Sequence, residues 1–255
     1  LCDDLTFARG GSGVNLTCSD PSLPVDARNL VHRAATAFLS AANITDGVRL
    51  HLEKKIPQAA GLGGGSGNAA TTLLGLNELF GSPLPAEKLS ELAAALGSDI
   101  PFFLQPKPAL ATGRGERIEA LATFPVLRGK IFFLIHPGFG ISTPWAYQNL
   151  ARFPESLNGR PGRAQQLIAG LRAGDLSAAA MEFYNSLEAP ALEKYPLLIL
   201  FQEFLRSNGA DVALMSGSGS TTFAIVSGMK AAEALREKFL NKFSPSCWTA
   251  LVPIA

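Results

Sequence analysis

Cysteine is scarce in this chain of 255 residues. Cys2, Cys18 and Cys247 form an odd, scattered set with no Cys-x-x-Cys pair. That excludes a disulfide framework and offers no zinc spacing. The histidines His32, His51 and His136 likewise stand without ligand spacing, which leaves them structural or exposed. An excess of one charge is missing too. Twenty-two Lys plus Arg stand against 21 Asp plus Glu, a net charge of +1, whereas a nucleic-acid binder carries a clear basic excess. No apolar run approaches the ~18 residues that a membrane span needs; Ile131 to Ile135 has the length of a strand. There is no internal repeat and no low-complexity tract. The expectation is a soluble protein of a reducing compartment, with neither nucleic acid nor membrane as partner. The chain opens on Leu1 with no charged-then-apolar leader pattern, and a segment is expected to be missing upstream.

What is present is enough for a sizeable core: 47% of residues are hydrophobic and 17% charged, so disorder is not expected. The length suits one large domain or two modest ones. Residues 26 to 39 read as a loop feeding a helix, with Asn29 as N-cap and Val31, Ala34, Ala35 and Phe38 on one face. Val48, Leu50 and Leu52 alternate with Arg49, His51 and Glu53, the pattern of a half-buried strand. After Pro57 comes a glycine-rich loop, then a helix from about Asn68 to Phe80, stopped by Gly81. Pro85 starts another helix, with Leu89, Leu92 and Leu96 inward and Gly97 at its end. Pro101 biases Ile100 away from helix, so the chain is expected to leave in an extended direction.

The segment from Leu121 to Lys130, with Pro125 and Gly129, is the expected boundary, giving domains 1–122 and 123–255. A strand over Ile131 to Ile135 leads to a helix opened by Thr143 as N-cap and Pro144 as N1. The best surface loop is Asn158 to Gly162. Then follow a helix (Leu197 to Ser207), strands (Asp211 to Met215 and Thr221 to Val226), a helix (Met229 to Leu240) and a strand near Trp248 to Val252. That order suits helices layered against an antiparallel sheet.

The loop reads Gly61-Leu62-Gly63-Gly64-Gly65-Ser66-Gly67. Glycines between a strand and a helix let backbone N–H groups approach phosphate oxygens, and the helix N-terminus adds its dipole. A tight turn alone needs fewer glycines. Two familiar phosphate loops are excluded. A Walker loop ends in Gly-Lys-Ser/Thr, and here Ser66-Gly67-Asn68 has no lysine. The GxGxxG pattern meets Ser66 when started at Gly61 and Asn68 when started at Gly63. A nucleotide-phosphate loop of a third kind remains.

Pro57-Gln58-Ala59-Ala60-Gly61-Leu62-Gly63-Gly64-Gly65-Ser66-Gly67-Asn68 resembles the ATP loop of the GHMP kinases (galactokinase, homoserine kinase, mevalonate kinase and relatives). Gly97-Ser98-Asp99-Ile100-Pro101-Phe102-Phe103 and Ala111-Thr112-Gly113-Arg114-Gly115-Glu116 are similar to further family segments. Met215-Ser216-Gly217-Ser218-Gly219-Ser220 resembles the third, C-terminal glycine motif. The likeness is greatest to the branch that phosphorylates the 2-hydroxyl of 4-diphosphocytidyl-2-C-methyl-D-erythritol on the non-mevalonate route to isoprenoids. It departs at Gly67, where the family commonly has a serine. The resemblance implies an α+β chain of two domains: an N-terminal α/β domain with a left-handed βαβ-type nucleotide unit and a ferredoxin-like C-terminal domain. It also implies ATP with Mg²⁺, a cytidine-diphosphate-linked polyol as partner, and the bacterial cytoplasm or the plastid stroma as location. Alternatives are another GHMP kinase, of homoserine or mevalonate type, or a silent nucleotide-binding module on the same fold.

By resemblance, Asp99 is the catalytic base and touches substrate; an Asp after Gly-Ser is equally a turn cap. Asn29 and Lys55 fall where the family lines its adenine pocket, though Asn29 is also a good cap and Lys55 a solvated strand end. Gly217, Ser218 and Gly219 fall in a substrate-side motif, or in a plain hairpin turn. Thr143 corresponds to a family threonine near the polyol and diphosphate, and Tyr147 to an aromatic that stacks on cytosine. Kinases of this kind open with a strand like Ala-Lys-Ile-Asn-Leu, followed by Gly-Tyr-His. Neither pattern occurs here, and Lys54, Lys55, Lys107 and Lys130 offer no obvious substitute. Weak ATP binding and poor turnover by the chain as it stands are therefore expected.

Overall fold

The computed structural model describes residues 1–157 and 160–254. The expected loop at Asn158 and Gly159 lies outside the described residues. The chain divides into two compact units: Leu1–Ile56 with Gly63–Ala122, and Pro57–Leu62 with the residues from Thr123 onward.

The first unit runs β1 (Asp4–Arg9), β2 (Val14–Cys18), α1 (Leu30–Ala41), β3 (Val48–Glu53), α2 (Gly64–Leu79) and α3 (Ala86–Leu96). A 3₁₀ turn (Ile100–Leu104) and the hairpin β4 (Ala109–Thr112) and β5 (Arg117–Ala120) follow. Its main sheet has the order β1-β3-β2. β3 pairs antiparallel with β1, Leu50 opposite Phe7, and parallel with β2, Leu50 opposite Leu16. The parallel pair requires a crossover, and α1 supplies it. The alternation in β3 holds: Val48, Leu50 and Leu52 are buried while Arg49, His51 and Glu53 are exposed. Their inner face meets Val31, Ala34, Ala35 and Phe38 of α1 and Leu73 and Leu76 of α2 in one core.

Three expectations about this unit are corrected. Helix α2 begins at Gly64, four residues before Asn68, because left-handed Gly63 already turns the chain into the helix. Leu92 and Leu96 are only partly buried, and Ala93 joins Leu89 on the inner face of α3. Ile100 does not extend; it opens the 3₁₀ turn, whose first positions tolerate Pro101 because their N–H groups need no partner.

The second unit runs β6 (Lys130–His136), α4 (Thr143–Leu150), α5 (Pro154–Leu157), α6 (Arg163–Ala173), α7 (Leu176–Ala180), α8 (Glu188–Lys194) and α9 (Leu197–Ser207). It ends with β7 (Val212–Met215), β8 (Thr222–Ser227), α10 (Met229–Lys242) and β9 (Trp248–Pro253). The antiparallel sheet has the order β7-β8-β6-β9. With the strand, helix, strand, strand, helix, strand order of the chain, this is the ferredoxin-like arrangement. α9 and α10 cover one face. Phe201 of α9 meets Phe239 of α10 edge-on at 4.8 Å, and Phe239 meets Phe133 of β6 at 6.0 Å. No helix among the described residues is long and apolar enough to cross a membrane.

Candidate functional site

In the first unit the glycine segment makes the N-terminus of α2. Gly63 caps it at φ +66°, and a Cβ there would come within 2.5 Å of the Phe103 ring, so only glycine fits. The first intrahelical bond is Gly67 N–H to the Gly63 carbonyl, at 2.8 Å. The N–H groups of Gly64, Gly65 and Ser66 therefore precede any helical acceptor and point out of the helix end, as an anion cradle requires. A Cβ on Gly67 would sit 3.5 Å from Phe103, an ordinary contact, so the serine common in the family has room here. Beside Gly65 lies Leu30, the residue after Asn29. Asn29 is buried and caps α1: its Oδ1 accepts from Val31 N–H at 2.9 Å, and its Nδ2 donates to the Pro24 carbonyl at 2.8 Å. One amide hydrogen and one lone pair remain for other partners.

A buried network that sequence reasoning missed supports this helix end. Lys54 Nζ donates to Asp3 Oδ2 at 2.9 Å and to the Ile56 carbonyl, and it lies 3.5 Å from where a Gly64 Cβ would stand. Asp3 also accepts from the N–H groups of Lys55 and Ile56, at 2.7 and 2.8 Å, and from Asn68 Nδ2 at 2.8 Å. The side chains of Lys54 and Asp3 are 8% and 0% exposed. Burial favours the neutral form of Asp3, but these donors outweigh it and hold the carboxyl below its ordinary value. Lys55, by contrast, faces solvent and pairs with Asp4 at 2.5 Å.

Asp99 follows Gly97, the C-cap of α3, and occupies the N-cap position of the 3₁₀ turn without making a side-chain cap bond. Its side chain is exposed. Turn capping therefore does not use the carboxylate. Phe103, in the same turn, covers Gly63 and Gly67, and the β4–β5 turn brings Gly115 against the Ser98 carbonyl. Asp99 thus sits in a segment packed on the glycine helix.

In the second unit the remaining loop residues, Pro57 to Leu62, meet the third glycine motif. Gly61 has φ +73°, and a Cβ on it would overlap the Ser216 carbonyl oxygen. Its own carbonyl accepts from Ser216 Oγ at 2.8 Å. The Ala60 carbonyl accepts from Thr221 N–H at 3.1 Å, and the Ala59 carbonyl from Ile141 N–H at 3.3 Å. Gly217 to Gly219 lie in the turn between β7 and β8. Ser218 Oγ shares a hydrogen bond of 2.8 Å with Thr143 Oγ1. Thr143 is the first residue of α4 and not its cap; Ser142 caps the helix, accepting from Trp145 N–H. Tyr147, one turn further along α4, is 62% exposed, which leaves its ring free of core packing.

Residues 29–106 match the model of the GHMP kinases N terminal domain, and residues 166–244 that of the GHMP kinases C terminal domain. The chain belongs to the GHMP kinase family. Asn29, the glycine loop and Asp99 fall inside the N-terminal match, and Gly217 to Gly219 inside the C-terminal one; Thr143 and Tyr147 lie between them. As a GHMP kinase it is a small-molecule kinase that uses ATP. The chain is 41% identical over 252 residues to the 4-diphosphocytidyl-2-C-methyl-D-erythritol kinase of Synechococcus sp. (strain JA-2-3B'a(2-13)), covering 95% of this chain and 79% of that one. It is 38% identical over 240 residues to the kinase of the same name from Syntrophotalea carbinolica, covering 94% and 81%. A crystal structure of 4-(cytidine 5'-diphospho)-2C-methyl-D-erythritol kinase superposes with a TM-score of 0.75 at 32% identity, covering 99% of this chain and 87% of that one. The homoserine kinase of Cytophaga hutchinsonii shares the fold, with a TM-score of 0.80 at 21% identity and coverage of 99% and 86%.

Proposed function

We propose that this GHMP kinase transfers the γ-phosphoryl group of ATP to the 2-hydroxyl of 4-diphosphocytidyl-2-C-methyl-D-erythritol, giving the 2-phosphate and ADP. What supports this reading above all is identity near 40%, running through both units, to kinases that carry that substrate's name. The substrate oxygen attacks the γ-phosphorus, the bond to the β-phosphate oxygen breaks, and the hydroxyl proton passes to Asp99. Little covalent work falls to the protein in such a transfer; positioning and charge stabilisation carry it. The N–H groups of Gly64, Gly65 and Ser66 are free for phosphate oxygens, and the exposed Asp99 carboxylate is free for a proton. Asn29 is assigned to the adenine side. Lys55, which faces solvent with Asp4, has less to offer there. Mg²⁺ would arrive with the nucleotide, held mainly by its phosphates, since no cluster of three acidic, histidine or cysteine side chains among the described residues could cage it.

Thr143, Ser218 and the glycines on either side of Ser218 are assigned to the polyol and diphosphate, and Tyr147 to the cytosine. A coupled assay offering the cytidylated polyol, homoserine and mevalonate side by side tests the reading. Such turnover as the chain shows is expected with the first alone; preference for either of the others overturns the reading. Tyr147→Ala is expected to weaken the cytidylated substrate by ~1–3 kcal/mol, the scale of base–aromatic stacking. Calorimetry should find ATP affinity unchanged. An equal loss for both ligands removes Tyr147 from the cytosine site.

A further inference from the structure

Asn185, between α7 and α8, spends its whole amide on backbone. Its Nδ2 donates to two carbonyls of the third glycine motif, Met215 at 2.8 Å and Gly217 at 2.7 Å. Its Oδ1 accepts from Leu187 N–H at 3.0 Å, which fixes which end of the amide faces the motif. Glu188 completes the hold: Oε1 accepts from Met215 N–H at 2.7 Å and from Gln202 Nε2 at 2.6 Å. Both polar groups of Met215 are thus gripped from residues 185 and 188.

The grip on Gly217 has a directional consequence. The carbonyl of Gly217 and the N–H of Ser218 belong to one planar trans peptide and point opposite ways. Drawing the carbonyl toward Asn185 aims the Ser218 N–H away from it. Inside the turn the hydrogen bonds use the N–H groups of Ser216 and Gly219, not that of Ser218. On a flexible glycine, at φ +54°, this peptide would otherwise rotate at small cost.

We propose that Asn185 is a positioning residue for phosphoryl transfer: it orients the Gly217–Ser218 peptide so that the Ser218 N–H is presented to a phosphoryl oxygen. The proposal rests on the reading of this motif as phosphate-side. Asn185→Asp separates the roles. Aspartate keeps the shape and the acceptor for Leu187 N–H but cannot donate to either carbonyl. Asn185→Ser, short and uncharged, controls for the added charge. Turnover of the cytidylated polyol is measured for the wild type and both variants at saturating and limiting ATP, alongside melting curves. Both variants are expected to lose about 10- to 100-fold in kcat, the scale of a misaimed catalytic donor. The KM for ATP should stay within about threefold, and melting should remain cooperative. If the wild type turns over and Asn185→Asp matches its kcat, Asn185 only holds the turn before α8 and the proposal is overturned, while the assigned reaction stands. A loss confined to Asn185→Asp, with Asn185→Ser at wild-type rate, overturns it equally, since charge alone then accounts for the effect.

Discussion

Asp99→Asn is expected to leave ATP binding intact and to slow phosphoryl transfer by roughly two to four decades, the scale of a lost general base. The structure makes this a clean test. The side chain is exposed and makes no cap bond in the 3₁₀ turn that it precedes, so the isosteric amide disturbs no fold contact. Stopped-flow turnover and a nucleotide titration on the same preparation give the two quantities. An unchanged rate would reduce Asp99 to a turn residue and remove the base from the mechanism.

Lys54→Met should cost the fold about 3–5 kcal/mol, because removing one partner strands a buried charge. That charge is the Asp3 carboxylate, whose side chain is covered and receives hydrogen bonds from Lys54, Lys55, Ile56 and Asn68. Asp3→Asn with Lys54→Met should recover part of the loss, since a neutral pair leaves no uncompensated charge. Urea unfolding of the wild type and the two variants measures both values. The wild type carries a pH signature as well. The Asp3 carboxyl is held below its ordinary value of 3.8. The stability it contributes is therefore present above that value and lost as pH falls through the lowered one. A variant without Asp3 should lack that acid limb. Because Asn68 and Ile56 border the glycine segment on either side, Lys54→Met should also raise the KM for ATP; a stable variant with unchanged KM would show the network to be irrelevant to the loop.

Local pattern made some elements readable and hid others for reasons that can be named. Val48, Leu50 and Leu52 alternate cleanly because one face of β3 is buried and the other wet. The helix from Leu197 to Ser207 buries Leu198, Phe201 and Leu205 on one face while Leu197, Ile199 and Leu200 stay exposed, and its bounds agree with the sequence reading. The first two strands, β1 and β2, do alternate, with Val14, Leu16 and Cys18 set against Asn15 and Thr17, but over runs of only six and five residues and with little full burial. The start of α2 was hidden because glycine is a poor helix former; tertiary packing under Phe103 overrides the propensity. Proline before a supposed strand misled at Ile100, where a short 3₁₀ turn accepts the same residue. In α4 the cap lies one residue earlier than Thr143, and Ser142 has the chemistry for it. The glycine loop and Asp99 were legible as motif. Lys54 and Asn185 were not, because their partners lie 51 residues away at Asp3 and 30 residues away at Met215. Nothing local distinguishes Lys54 from Lys55; only the fold sends one inward.

The sheet of the second unit sets an order of events during synthesis. Strand β6 lies inside the sheet, yet its two neighbours, β8 and β9, begin at Thr222 and Trp248. Until the chain passes Thr222, Ile131, Phe133 and Ile135 have no strand on either edge, and α10, whose Phe239 packs on Phe133, is not yet made. Closing such distant pairs late makes folding slow and leaves an apolar edge open to other chains. Chaperone demand during translation should therefore peak after residue 136 has emerged and fall only when β9 docks.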